Sequence, residues 1–343
     1  MSSTDRILVI IPNWNGADWI GDCLRSLSKI NKPENTIVDT VVVDNGSTDN
    51  SLKLIDRYYS EVKVLKLDSN QGFTGGVNVG LNYAISESYQ FAAVLNNDAI
   101  VDTNWIVELY QTFFDSEDIA AVAPKTLMTR KSSGKYLIDS AGDHYSIWGV
   151  AFPRGRGQED NSQFDQKIEV FAASGCASMF RVSALLEVGL LDQKFFAYYE
   201  DVDLSFRLRL AGYKVLYQPK AVVYHYLSKT SGQGMNSFKQ YHAIKNMLYV
   251  YNKDMPGWLW AKYLPRFGLL NLIWLVGATR RGLFIPTIRA YLVASFNLPY
   301  IISKRSIYQS KRIVNSQDIE VLLDREYYRP FASIIGKLKG KRS

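Results

Sequence analysis

Two acidic segments of the sequence have the residue types and spacing that metal binding and proton transfer require. In LNNDA, Asp98 follows an apolar run typical of a buried strand, and in FFAYYEDVDLSFRLRLAGY the acids Glu200, Asp201 and Asp203 lie close together. A carboxylate at a strand end suits a hard divalent cation, which proteins hold with one or two carboxylates while substrate phosphates and water complete its shell. Asp98 is therefore a candidate metal ligand, although it could merely cap the turn into DTNWIVELY.

The acids of the second segment differ in their neighbours along a predicted helix over about 200–210. Successive helical residues are about 100° apart, so Asp201 and Asp203 lie about 200° apart and cannot face the same pocket. Asp203 has Arg207 at i+4, which predicts a surface ion pair. Asp201 has Ser205 there and no charged partner, so it is the candidate general base, and Glu200, about 100° away, could share its pocket. The alternative is that the acids only stabilise the N-terminal end of the helix dipole.

Polar or glycine-rich residues also follow other apolar runs. In VVVDNGSTDNS, Asp44 could hydrogen-bond a nucleotide's base or ribose, whereas Ser47 or Asp49 could simply cap the next helix. In NQGFTGGVNVGL, Gly72 and the later glycines could let the backbone approach a phosphate, or serve only the turn. The spacing matches neither GxGxxG nor GxxxxGK[ST]. His225, one of three histidines, ends AVVYHYL, where it is either a core residue or a ligand.

The elements that must position these residues alternate through the first 125 residues. RILVIIP, TVVVD, VKVLKL and QFAAVLN predict strands, and helical patterns lie between them. This alternation predicts an α/β protein with a mostly parallel sheet between helices. Ligands of such sheets bind beyond the carboxyl ends of the strands, where Pro12–Gly16, Asp44–Asp49 and Asn96–Asp98 fall. Residues 125–168 show little periodicity of apolar residues and are rich in Gly, Ser and charged residues. They predict hairpins and a mobile segment that passes over the sheet.

Charge divides the chain into two predicted regions, 1–228 and 229–343. The second holds 19 Lys and Arg residues and 5 Asp and Glu residues, a net charge of +14, while the whole chain has +7. With its interleaved Trp, Tyr and Phe, this region predicts helices on a membrane surface, or else a packed subdomain or dimer contact. Nucleic acid is not an expected partner, because no recognisable module is present. The short N-terminal apolar run and the two cysteines predict a cytoplasmic protein. The basic, aromatic C-terminal region predicts that it is peripheral on the inner face of the cell membrane.

The sequence resembles the family 2 glycosyltransferases of the GT-A fold group over about residues 6–228, and among them the bacterial rhamnosyltransferase-like branch. Seven segments carry the resemblance in the family's order and spacing: VIIPNWNG, VVVDNGSTDNS, NQGFTGGVNVGL, LNNDA, GRGQED, ASGCASMFR and FFAYYEDVDLSFRLRLAGYKVLYQPKAVVYH. A single such segment is weakly specific, whereas seven in order are strongly so.

The resemblance implies an inverting, metal-dependent transfer of a sugar from a nucleotide diphosphate. Asp201 takes the place of the acceptor's general base, and Asp98 and His225 take the place of ligands to Mn²⁺ or Mg²⁺. Arg156, in PRGRGQED, could contact phosphates or lie in a solvated turn. The other residues expected to bind the nucleotide sugar are Pro12, Asn13, Trp14, Asp44, Asn70, Gly72, Asn97 and Glu200. The resemblance further implies dTDP-rhamnose as donor and a saccharide or polyprenyl-diphosphate-linked acceptor in cell-surface polysaccharide synthesis.

One departure from the family's pattern keeps an alternative open. The DxD-type motif reads Asn96-Asn97-Asp98 here and has one acid only. A catalytically idle nucleotide-sugar binding or scaffold protein of a glycan assembly complex would also fit. A nucleotidyltransferase fits less well, because PNWNGADW after the first strand has no basic residue. KTSGQG, residues 229–234, is either a lid over the diphosphate or a plain linker.

Overall fold

The computed structural model describes residues 4–227 and 234–326, so the segment expected to be a lid or a plain linker, 229–234, lies outside the described residues except for Gly234. The strands are β1 (Asp5–Asn13), β2 (Thr36–Asp44), β3 (Lys63–Lys66), β4 (Phe91–Val94), β5 (Ala99–Val101), β6 (Ile119–Ser132), β7 (Lys135–Ser140), β8 (Asp143–Tyr145), β9 (Ala151–Pro153), β10 (Ile168–Glu169), β11 (Met179–Arg181) and β12 (Lys214–His225). The helices are α1 (Ile20–Leu27), α2 (Ser51–Tyr58), α3 (Gly72–Ser86), α4 (Trp105–Thr112), α5 (Val182–Val188), α6 (Glu200–Leu210), α7 (Ser237–Asp254), α8 (Gly257–Arg280), α9 (Phe284–Phe296), α10 (Leu298–Ser310) and α11 (Ser316–Leu322).

A central sheet runs through the N-terminal part in the order β10-β12-β6-β11-β4-β1-β2-β3, with β5 beside β12 and β7 beside β6. The strands β1 to β4 are parallel, and so are β6 and β12. Between these two groups, β11 runs antiparallel to both β4 and β6. The predicted mostly parallel α/β sheet is confirmed, and β11 and the short flanking strands are its exceptions.

Helices cover both faces of this sheet because β1 and its neighbours are apolar on both sides. Alternate residues of β1 point in opposite directions: Ile7, Val9 and Ile11 join the core beneath α1 and α4, and Leu8 and Ile10 join the core beneath α3 and α6. Both predicted layers are therefore present. The hairpins predicted for residues 125–168 are also present, as β6–β7 and β8–β9.

The predicted C-terminal helical region is present as α7 to α11. These helices share a hydrophobic core with α6, to which Val202 and Phe206 of α6, Met247 of α7, Leu259 of α8 and Ile301 of α10 belong. None of the helices in the described ranges combines the length and the apolar character that a membrane span needs. The division of the chain at residue 228 stays a prediction, since α6 and α7 pack directly against each other.

The ion pair between Asp203 and Arg207 forms as predicted, but its predicted place on the surface is wrong. Arg207 Nε donates to Asp203 Oδ2 at 2.9 Å, and both side chains are buried. Lys253 of α7 covers them, forming an ion pair with the other oxygen of Asp203 and a second one with Asp192 at 2.7 Å. Helical spacing shows which residues face each other, but it does not show that a later helix encloses them.

Lys253→Met is expected to destabilise the protein strongly. The substitution leaves the buried carboxylate of Asp203 short of a partner, and breaking a buried ion pair from one side costs about 3–5 kcal/mol. Denaturant unfolding measures the change. The matched control is Lys262→Met, which removes an exposed pair with Glu320 that water already screens. Equal, small losses in both variants would contradict the enclosed cluster.

Candidate active site

The predicted nucleotide-binding residues of β1, β2 and β4 meet at the carboxyl ends of those strands. Asn13 ends β1 and donates to Asp44 Oδ1 at 3.3 Å, at the end of β2. Asn97, just past β4, donates to Asn13 Oδ1 at 2.8 Å. All three side chains are buried. The structure thus brings together residues at the ends of three strands, although Asn13 and Asn97 are 84 positions apart in the sequence.

Pro12 and Trp14 flank this buried asparagine at different depths. Pro12 is half-buried and packs near Gly76 of α3. Trp14 lies at the rim with 36% of its surface exposed, so its ring is accessible to a ligand. The turn after Trp14 is held because Asn15, at a φ of +49°, accepts from the Thr48 amide at 2.8 Å.

The glycine-rich turn before α3 is fixed by Asn45, a residue that the sequence analysis missed. Asn45 Nδ2 donates to the Gly72 carbonyl at 2.9 Å, and Asn45 Oδ1 accepts from the Gln71 amide at 2.9 Å. Asn70 Oδ1 accepts from the Gly72 amide at 2.8 Å. Gly72 has a φ of +76°, and a Cβ there would lie 2.4 Å from the Phe196 carbonyl. Glycine is therefore required at this position, while the expected role of Asn70 and Gly72 in nucleotide binding stays a prediction.

Asp98 and His225 lie side by side because the antiparallel pairing of β5 with β12 aligns Ala99 with His225. His225 Nε2 is 3.1 Å from Asp98 Oδ1, and its Nδ1 is 2.9 Å from Asp139 Oδ2. Burial disfavours the imidazolium, whereas Cys176, Asp139 and Asp98 favour it. The net effect raises the pKa of His225 well above its ordinary value.

The separation of Asp98 and His225 fits a shared divalent ion. Two ligand atoms that each lie about 2.1 Å from an ion, at right angles, are about 3 Å apart. Asp139 would then orient the imidazole from its other nitrogen, as carboxylates commonly do for metal-bound histidines. Within the described ranges no cluster of three or more acidic, His or Cys side chains could hold an ion. The remaining positions would therefore belong to phosphate and water oxygens.

Arg156 approaches the same group from the segment after β9. Its guanidinium forms an ion pair with Asp139 Oδ1 at 3.3 Å, and its side chain is 42% exposed. Its predicted contact with substrate phosphates stays a prediction. Asp139 was missed by the sequence analysis, because it lies in the stretch of the chain with little periodic pattern.

Asp201 lies at the start of α6 and is bonded through the backbone. Its Oδ2 accepts from the Gly175 amide at 2.9 Å and its Oδ1 from the Val202 amide at 2.8 Å. Burial raises the pKa of Asp201, although these amides act in the opposite direction. Burial, followed by the charge of Asp201, raises the pKa of the adjacent Glu200 well above its ordinary value. Ser205, the i+4 neighbour, bonds instead to the amide of Ala173.

A further carboxyl group lies within electrostatic range of Asp201. Asp143, at the start of β8, is buried and accepts from Ser140 Oγ at 2.6 Å. Burial and the charge of Asp201 raise the pKa of Asp143 to about 7. No sequence signal marked Asp143, since LIDSAGDHY has neither helical nor strand periodicity.

One short segment joins the two halves of the site. Gly175 donates to Asp201, and the next residue, Cys176, accepts from the Asn96 amide at 2.7 Å through its carbonyl. This segment therefore contacts the candidate base directly and, through Asn96, the strand end that carries the candidate metal ligand Asp98. The arrangement can hold a cation near Asp98 and an ionised carboxylate near an incoming hydroxyl.

Solved structures share this architecture. The mannosyltransferase PcManGT of Pyrobaculum calidifontis, in complex with GDP-Man and Mn²⁺, matches with a TM-score of 0.54 and 15% identity, over 92% of this chain and 88% of that chain. Residues 1–349 of S. aureus TarS, in complex with UDP-GlcNAc, match with a TM-score of 0.53 and 16% identity, over 93% of this chain and 92% of that chain. At these identities the likeness shows the fold, which is GT-A.

The sequence comparison supplies the family. The profile described as glycosyl transferase family 2 matches residues 8–189, more than half of the chain, so the protein belongs to that family. Poly-beta-1,6-N-acetyl-D-glucosamine synthase of Staphylococcus epidermidis is 25% identical over 230 residues, which are 66% of this chain and 52% of that protein. The chain thus spans about half the length of this curated relative.

Proposed function

We propose that the protein transfers a sugar from a nucleotide diphosphate to an acceptor hydroxyl in cell-surface glycan synthesis, with a divalent cation and inversion at the anomeric carbon. The observation that supports this most is that Asp98 and His225 lie in contact, as ligands of one ion would. The Gly175–Cys176 segment links their strand end to Asp201. The donor proposed from the resemblance is dTDP-rhamnose, with a saccharide or polyprenyl-diphosphate-linked acceptor. The named relatives act on or bind other sugars, so a donor screen would also include UDP-GlcNAc and GDP-mannose.

Each group in the site has a distinct task in such a transfer. Asn13, Asp44 and the rim residue Trp14 would bind the nucleoside. Asp98 and His225 would hold Mn²⁺ or Mg²⁺, which neutralises the diphosphate as it leaves. Asp201 would remove the proton from the acceptor hydroxyl as that oxygen attacks from the face opposite the diphosphate. A single displacement of this kind inverts the anomeric centre.

The competing proposal is an idle nucleotide-sugar binding protein. It is favoured by the single acid in Asn96-Asn97-Asp98, and it is disfavoured by the half-buried carboxylate of Asp201, whose pKa is raised by desolvation. Donor hydrolysis and transfer assays separate the two, because an idle protein would bind nucleotide without turnover.

The protein is further proposed to act while bound to an anionic membrane surface. Between Met255 and Gln317 the sequence contains nine Lys and Arg residues and no Asp or Glu. On α9, Ile285, Leu292 and Phe296 recur at helical spacing and are all exposed, Phe296 by 82%. Lipid chains would cover such a stripe while the basic residues meet phosphates.

Asp98→Ala is expected to abolish the metal-dependent part of nucleotide binding, because one of two protein ligands to the cation disappears. Calorimetry of UDP or dTDP with and without Mn²⁺ measures it. Asp102→Ala, at a half-buried acid directly after β5 whose Oδ1 accepts from the Asn104 amide, serves as the control. Unchanged Mn²⁺-dependent affinity in the Asp98 variant would remove Asp98 from the metal site.

Asp201→Asn is expected to reduce transfer by about 10²–10⁴-fold while nucleotide affinity survives, because only the base is lost. In the wild type, the transfer rate should fall as the pH is lowered through the raised pKa of Asp201. The residual rate of the amide variant should not show this decrease at low pH. The comparison is Glu200→Gln, expected within a few-fold of wild type because burial raises the pKa of Glu200 and so favours the neutral form that the amide resembles. Asp203→Asn is not a mild control, since Asp203 is enclosed. An active Asp201→Asn enzyme would mean that the base is another group.

Phe296→Asp is expected to weaken binding to anionic vesicles by about tenfold or more, because the proposed contact of this exposed ring with lipid chains is replaced by a charge that the anionic surface repels. Co-sedimentation with phosphatidylglycerol-containing vesicles at low and high salt measures it. Phe114→Asp, at an exposed phenylalanine beyond α4, is the matched control. Salt-insensitive binding, or equal losses in both variants, would favour a packed subdomain or dimer contact.

A further inference from the structure

The segment that leads into α6 has an unfavourable backbone. Phe196, Tyr198 and Tyr199 have φ values of +67°, +69° and +68°, and Tyr199 directly precedes Glu200 and Asp201. Residues with a side chain adopt this left-handed region only when their surroundings impose it. Contacts from elsewhere must therefore hold residues 194–199 in place.

Those contacts come from α7. The fully buried Asn246 donates through Nδ2 to the carbonyls of Phe195, Ala197 and Tyr198, at 3.0, 2.8 and 2.7 Å. Its Oδ1 has no hydrogen-bond partner among the described residues, so the side chain serves as a donor alone. Lys245 adds a bond from Nζ to the Lys194 carbonyl at 2.7 Å.

The same helix fixes both ends of the segment. Lys253 lies two turns beyond Asn246, on the same face of α7. It forms ion pairs with Asp192, which precedes the segment, and with Asp203, which follows it within α6. The segment also touches the donor side of the site, because the Phe196 carbonyl accepts from the Thr74 amide at 3.2 Å.

We propose that α7 is the element that positions the general base and that Asn246 is its central positioning residue. This inference rests on the proposed function, in which Asp201 is that base. Asn246 does not touch substrate. It holds the carbonyls of residues 195–198 so that α6 begins where Asp201 can meet both the Gly175 amide and an acceptor hydroxyl.

The test compares Asn246→Leu, nearly the same size but without a donor, with Asn252→Leu. Asn252 lies on the same helix, bonds to Leu248 and Trp260, and makes no hydrogen bond to residues 194–199 among the contacts that the structure describes. In Asn246→Leu we expect kcat to fall by about 10²-fold, as misplacing a reacting group by about 1 Å does. UDP affinity in the presence of Mn²⁺ should change much less than kcat, by no more than about threefold, and hydrogen–deuterium exchange in a peptide covering 194–199 should speed up. Asn252→Leu should change none of the three.

The outcomes separate this inference from the proposed function. A kcat within threefold of wild type for Asn246→Leu, beside an inactive Asp201→Asn enzyme, would overturn the positioning role alone. Unchanged exchange of 194–199 would overturn it as well. An active Asp201→Asn enzyme would instead reject the base itself. Should Asn246→Leu fail to fold, Asn246→Ser, which keeps one donor and removes the other bonds, decides with the same readouts.

Discussion

The buried ion pair between Asp203 and Lys253 is the constraint on which the arrangement of the candidate site depends. Neither charge can reach water, and a buried charge is tolerated only when it is paired. The pair therefore fixes the position of α7 against α6, with Arg207 and Asp192 completing the cluster. Asn246 is brought to the carbonyls of 195–198 by the same docking. The C-terminal helices are in this sense part of the structure that shapes the site.

A second constraint acts at the other side of the pocket, where three parallel strands end together. Asn13, Asp44 and Asn97 satisfy one another's polar groups in a buried place. Such a network orders the turns that follow the strands before any ligand arrives. Asn45 extends it to the turn at Gly72, and Gly72 in turn lies against Phe196. The donor side and the base side are thus connected through direct backbone contacts.

The sequence predicted those parts of the fold that local patterns encode. The continuous apolar run of β1 indicated a strand buried on both faces, and the strand ends indicated where Asn13, Asp44 and Asp98 would gather. The approach of His225 to Asp98 depends on a pairing between strands 127 positions apart, and only the family resemblance pointed to it. Asp139 and Asp143 went unnoticed because no periodicity marks their segment. Asp203 was misplaced because the i+4 rule describes one helix and cannot include α7.

The order of these elements along the chain bears on how the protein is made. The ribosome releases the sheet and α6 first, and domains generally fold from the N-terminal side during synthesis. At that stage Asp203 has Arg207 beside it, but Lys253 has not yet emerged from the ribosome. The strained turn at Phe196 likewise lacks Asn246. A nascent chain that has completed its sheet therefore still lacks the contacts that shape the candidate site, and release of α7 from the ribosome is the step at which this site can take its final shape.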